Sequence, residues 1–226
     1  MSRENFLEAF IITNDRESLE LCKQSIEAQT LKIPVRIISG LSFVDANNKA
    51  LNSCRSQFYF RIDDDFFLNK NTFTFMNKTL RSHKNRDNIV LYDCRLWEDF
   101  TKKIVRGLKI YNSSLTKKLG GFVANKLGKI DKKFKKHVDR SSFGSIRDRN
   151  SVVGVHACPS WKEQVRYEEL WTNNAQVRHR KTTRSSMKKY KHTLAYQYDL
   201  SGSFLVKLNK KKKSGFNRFL RKECSP

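Results

Sequence analysis

The run Gln57-Phe58-Tyr59-Phe60-Arg61-Ile62-Asp63-Asp64-Asp65-Phe66-Phe67 constrains this chain more than any other stretch. Aromatic residues of high strand propensity dominate its first half, so it reads as a buried β-strand that ends in three consecutive carboxylates. Carboxylates gathered at the end of a buried strand repel one another unless something cationic lies between them. A divalent metal is the simplest such cation. Hard ions such as Mg²⁺ take oxygen ligands and complete their shell with water and substrate phosphates rather than an all-protein cage. The triplet therefore points to phosphate chemistry.

The residues before it alternate between strand and helix patterns. Glu8 to Thr13 is a compact β-like run, and Asn14 with Glu17 forms a capping box for a helix over Ser18 to Gln29, whose Leu19, Cys22 and Ile26 share one side. Pro34 ends the connection; Val35 to Ile38 reads as a second strand, Asp45 to Cys54 as a second helix and Phe58 to Ile62 as the third strand. A β-α-β-α-β series calls for an α/β fold with a mostly parallel, Rossmann-like sheet flanked by helices and joined by right-handed crossovers. Ligands of such sheets bind beyond the carboxyl ends of the strands. Thr13, Ser39-Gly40 and Asp63 to Asp65 all stand at those ends, so three loops converge on one crevice.

Composition narrows the possibilities. A chain of 226 residues with 38% hydrophobic content can bury one good core, which favours a single domain. No apolar run approaches the ~18 residues that a spanning helix needs, and Met1 to Asn5 lack the basic-then-apolar order of a secretory signal. Five scattered cysteines (Cys22, Cys54, Cys94, Cys158 and Cys224), odd in number and without a CxxC pair, suit reduced thiols in a cytoplasmic protein. The net charge of +24 is unevenly placed: residues 1–100 hold 14 Lys and Arg against 14 Asp and Glu, and residues 101–226 hold 32 against 8. A field of that sign draws an anionic partner, such as nucleic acid, an acidic membrane surface or an anionic glycan. The bland alternative is a solvated surface that promotes solubility.

Four segments together resemble a known family: Ile12-Thr13-Asn14-Asp15-Arg16, a helix ending in Ala28-Gln29-Thr30, Asn47-Asn48-Lys49-Ala50-Leu51, and the strand ending in Asp63-Asp64-Asp65. They look like a glycosyltransferase of the GT-A fold, closest to the family 2 group, over roughly Glu8 to Leu80. The resemblance implies a nucleoside-diphosphate-sugar donor and a Mn²⁺ or Mg²⁺ cofactor. It implies that Asp65 ligates the metal and that Asp63 holds the ribose or a metal-bound water. Thr13, Asn14 and Arg16 would lie near the base, Lys49 near the diphosphate, and Ser39 and Asp64 in the same donor pocket. Many relatives carry an acidic residue after the second strand to bind the base; here Ser39-Gly40 stands there, with Asp45 the nearest carboxylate. On this reading residues 1–206 form one domain, a donor half to residue 100 and an acceptor half over 101–206, followed by a basic tail at 207–226.

Further candidates lie in the second half. Ser151 to His156 reads as a strand, and members of the GT-A fold often place a late histidine at the metal, which makes His156 the natural candidate; a hydrogen-bonded rim histidine is the alternative. Imidazole suits Mn²⁺ better than Mg²⁺. An inverting transferase needs a carboxylate base beside the acceptor hydroxyl, for which Glu163, Glu168 and Glu169 are the main candidates, with Asp139 and Asp93 in reserve; each Glu also fits an exposed helix residue paired to a nearby Lys or Arg. Residues 101–149, rich in Lys with few large apolar residues between, read as a partly mobile acceptor loop that closes over donor. Lys207 to Lys222 forms a basic amphipathic segment able to lie on an anionic membrane or on nucleic acid. The competing reading is a nucleic-acid-binding protein or metal-dependent nuclease using Asp63 to Asp65. It accounts for the charge directly and expects further acidic or His ligands beside the triplet.

Overall fold

The computed structural model describes residues 6–15, 18–98, 103–123, 130–156, 196–198 and 204–206. The expected opening series is present as β1 (Leu7–Ile12), α1 (Ser18–Glu27), β2 (Val35–Ile38), α2 (Phe43–Ser53) and β3 (Phe58–Asp63). There follow β4 (Phe66–Leu68), α3 (Thr72–Ser82), β5 (Ile89–Glu98), β6 (Lys103–Asn112), α4 (Ser113–Lys118), α5 (Ile130–Asp139) and β7 (Gly144–His156). A short hairpin of β8 (Tyr196–Tyr198) and β9 (Phe204–Val206) forms its own two-stranded sheet.

One seven-stranded sheet, ordered β2-β1-β3-β6-β5-β7-β4, runs through both halves of the sequence. β1 pairs in parallel with β2 and β3, as the crossovers require, and β5 pairs in parallel with β7. β6 runs antiparallel to both β3 and β5, and β4 antiparallel to β7. The sheet is thus mixed, and its antiparallel members come from the part of the chain where the helix-strand alternation is weakest.

Strand alternation sorts the core onto two faces. Leu7, Ala9 and Ile11 of β1 and Phe58, Phe60 and Ile62 of β3 pack with Cys22 and Ile26 of α1 and with Phe73, Met76 and Leu80 of α3. Their neighbours Phe10, Ile12 and Tyr59 face the other way, against Ala46, Ala50 and Leu51 of α2 and Phe134 and Val138 of α5. Such period-two division between two helical layers is what a strand buried on both faces demands.

Two sequence readings need correction. The described residues within 101–149 are not a loop: β6, α4, α5 and the start of β7 lie there. Their apolar residues are few but correctly spaced, Leu108 and Ile110 facing one layer and Tyr111 the other, with Ile130, Phe134 and Val138 four apart on α5. The intervening Lys and Arg mask that period. The second helix begins at Phe43 rather than Asp45, because Ser42 caps it, its hydroxyl accepting from the Asp45 amide at 3.2 Å and donating to the Asp45 carboxylate at 2.5 Å. No helix of the described residues is long and apolar enough to cross a membrane.

Candidate active site at the carboxyl ends of β1 and β3

β3 delivers Asp63 as its last residue, and the chain turns through Asp64 and Asp65 into β4. The middle carboxylate faces backwards. Asp64 accepts the Thr13 hydroxyl at 2.6 Å and the Asn14 amide at 3.2 Å, while Thr13 Oγ1 in turn accepts the Asp15 amide at 2.8 Å. Asp15 has φ of 57°, a left-handed conformation that Asp tolerates better than most residues. Asp64, only 3% exposed, thereby ties the loop after β1 to the end of β3.

Asp63 and Asp65 flank that tie and line a cavity of about 350 Å³ together with Thr13, Asn14 and His156. Burial pushes the Asp63 carboxyl up, Arg61 opposes the shift, and Asp65 adds to it. Its Oδ1 is buried and accepts no hydrogen bond; the Arg61 guanidinium Nε is 3.5 Å away. β7 brings His156 opposite Phe66 of β4, next to Asp65 in sequence, and His156 Nε2 lies 3.3 Å from Asp65 Oδ2.

A buried charge network forms the floor. Arg61, 2% exposed, donates to both oxygens of Asp131, in the first turn of α5, at 2.6 and 3.2 Å. Lys109 of β6 reaches the same carboxylate at 3.0 Å. Burial alone would raise the Asp131 carboxyl; Arg61 and Lys109 outweigh it and hold the group well below the usual carboxylate range. Arg61 stays charged despite its burial through Asp131, Tyr111 and Asp63, and its guanidinium also lies over the Phe43 ring, 5.1 Å from the centroid.

Of the residues expected from sequence, Thr13, Asn14, Asp63, Asp64, Asp65 and His156 meet at this cavity. Ser39 and Lys49 are exposed and do not line it; from that side Leu41 and Phe43 do. Asp45, the nearest carboxylate after β2, is engaged in the cap of α2. Arg16, Glu163, Glu168, Glu169, Cys158 and the tail 207–226 lie outside the described residues. Asp93 is buried on β5, and Asp139 is paired with Lys135 at the end of α5. Sequence reasoning missed Arg61, Lys109, Asp131 and Phe43. One signal was present: a lone Arg inside Phe58 to Ile62 cannot be buried without a carboxylate partner. Which carboxylate it was could not be read.

Among the described residues no group of three or more His, Cys, Asp and Glu side chains forms a ready-made metal cage. The donor chemistry nevertheless fits a hard divalent cation: two carboxylates and an imidazole lining one cavity, one carboxylate oxygen buried without a hydrogen-bond donor, and space for water and phosphate beside them. A cation at this position would offset the burial that raises Asp63.

No protein-family model matches the sequence, and no curated protein matches it. Solved structures do match. The mannosyltransferase PcManGT from Pyrobaculum calidifontis, in complex with GDP-Man and Mn²⁺, superimposes with a TM-score of 0.56 at 13% identity. The match covers 76% of this chain and 64% of that one, so this chain spans just under two thirds of it. S. aureus TarS 1-349 matches with a TM-score of 0.53 at 10% identity over 91% of this chain and 97% of that one, and its complex with UDP gives 0.55. The chain shares the mixed α/β fold of these solved structures, a sheet flanked by helices. At these identities the likeness is one of fold.

Proposed function

We propose that this protein is a metal-dependent glycosyltransferase that moves a sugar from a nucleoside-diphosphate sugar to an anionic or membrane-associated acceptor. The observation that carries the reading is the convergence of Asp63, Asp65 and His156 on one cavity at the carboxyl ends of β1 and β3, beside the Thr13–Asp64 tie. A donor complex in the mannosyltransferase neighbour, solved with GDP-Man and Mn²⁺, agrees with it.

Each part of the cavity has a task on this reading. Asp63, Asp65 and His156 would hold Mn²⁺ or Mg²⁺, which would supply Lewis-acid compensation for charge developing on the departing diphosphate. The Asp64 tie keeps the loop of Thr13 and Asn14 against the donor. Leu41 and Phe43, 37% and 39% exposed, offer the base an apolar wall where relatives place an acidic residue. Arg106, which also lines the cavity, offers positive charge to the acceptor, while Lys109 is engaged by Asp131. Asp131 is no general base, because its two cations stabilise the ionised form; Glu163, Glu168 and Glu169 remain the candidates for that proton. The chain is proposed as one domain over 1–206, and Lys207 to Lys222 as a contact for an anionic membrane or nucleic acid from the cytoplasmic side. The nuclease alternative uses the same carboxylates and gives no role to the loop that Asp64 ties down.

Thermal denaturation against a panel of nucleoside diphosphates, with and without Mn²⁺, tests this function. Stabilisation is expected only when nucleotide and Mn²⁺ are both present, and it is expected to vanish in Asp65→Ala. Absence of any nucleotide-dependent shift in the parent protein would refute it.

A further inference from the structure

We propose that Glu98 is a positioning residue of this site: it accepts a hydrogen bond from His156 Nδ1 and thereby presents Nε2 to Asp65 and the cavity. The inference rests on the reading of Asp65 and His156 as cation ligands. Imidazole has two nitrogens, and the one that binds an ion must carry no proton. Which one that is depends on the hydrogen bond made by the other. His156 Nδ1 lies 2.9 Å from Glu98 Oε1, and Nε2 lies 3.3 Å from Asp65 Oδ2.

The ring is held on three sides. Phe66 meets it edge-on at 5.1 Å between centroids, with Asp65 and Glu98 at its two nitrogens. Glu98 has a side chain only 12% exposed and does not line the cavity, so it acts on a bound ion only through His156. Strand register shows how the contact is made. Arg95 pairs with Val152 but Trp97 with Val155, so β7 carries one residue more than β5 over this step. That irregularity sets Glu98 opposite His156; regular pairing from Arg95 would set it opposite Val155. Bulges beside functional sites commonly re-aim a side chain in this way. Outer carboxylates that orient a metal-ligating histidine typically govern metal affinity by about 10- to 100-fold.

The test is Mn²⁺ binding alone, read by electron paramagnetic resonance of free Mn²⁺ on the full chain without nucleotide, in the parent, Glu98→Ala, Glu98→Gln and His156→Ala. Glu98→Ala is expected to weaken Mn²⁺ binding by about 10- to 100-fold. Glu98→Gln keeps an acceptor oxygen and is expected to restore most of it. Should Glu98→Ala not fold, Glu98→Met, of similar length and without an oxygen, takes its place. Parental affinity in Glu98→Ala alongside loss in His156→Ala would overturn the positioning role and leave the ligand assignment standing. Equal loss in Glu98→Ala and Glu98→Gln would assign the effect to charge and also overturn it. Parental affinity in His156→Ala would overturn the ligand assignment itself and the inference with it.

Discussion

Replacing Asp131 by Asn tests whether the buried charge network fastens α5 to the site. The substitution keeps size and one carbonyl oxygen, and removes the charge that Arg61 and Lys109 share. Removing one partner of a fully buried pair costs about 3–5 kcal/mol, because the other charge is stranded. Two features reduce that figure here. The Asp131 side chain is 37% exposed, so solvent screens part of the attraction, and Asp63 remains 3.5 Å from Arg61 as a second carboxylate. Roughly 2 kcal/mol is the expected loss, which for a chain of 226 residues lowers Tm by about 4–8 °C. Circular dichroism melts of the parent, Asp131→Asn, Arg61→Met and the double variant give the coupling directly. A coupling above about 0.5 kcal/mol is expected for groups in direct contact. If Asp131→Asn melts within about 1 °C of the parent, or the cycle closes with no coupling, the network contributes nothing and the argument for its role fails.

Acid should erase that difference. The Asp131 carboxyl sits below its unfolded value of about 3.9, so its contribution is present above that pH and is lost as pH falls through the folded value. The gap in stability between parent and Asp131→Asn should therefore narrow steadily below about pH 4 in urea titrations; a gap that widens there contradicts the assignment. Asp63, whose carboxyl is raised, runs the other way: its contribution is present at low pH and lost as pH rises through the folded value. Thr13→Val deletes the donor to Asp64 and the acceptor of the Asp15 amide, and should cost about 1–3 kcal/mol by chemical denaturation; a neutral result would show that the loop does not depend on this tie. Gly154→Ala places a Cβ 2.5 Å from the Phe67 carbonyl oxygen and 3.0 Å from Leu68 Cα, both backbone atoms of β4. The loss should fall at the upper end of the ~1–3 kcal/mol typical of overpacking, and Mn²⁺ affinity should fall with it, because the β4–β7 pairing also sets Asp65 beside His156.

Much of the donor side of this protein is legible in its residues. Runs such as Ala9 to Ile12 and Phe58 to Phe60 are apolar on both strand faces, and only a strand covered by helices on each side buries both. The helices between them then compel parallel pairing, which puts Thr13 and Asp63 to Asp65 at one end of the sheet. The second half hid its order for an equally physical reason. In α5 four lysines outnumber the three core residues Ile130, Phe134 and Val138, and in β6 three basic residues stand among Leu108, Ile110 and Tyr111, so charge density conceals a period that three buried side chains suffice to create.

Local sequence therefore determined the strand-helix series, the clustering of carboxylates at a strand end and the placement of Thr13 beside them, since each follows from residue periodicity and short-range connection. Tertiary structure alone decided what each group in the crevice does. It turned Asp64 back to the loop after β1, paired Arg61 with Asp131 from a distant helix, and put Phe43 where an acidic residue was sought. It also set Glu98 against His156 through one extra residue in β7. These are contacts between elements far apart in the chain, fixed by sheet order and register, and a pattern along a single segment carries no information about which strand will lie beside it.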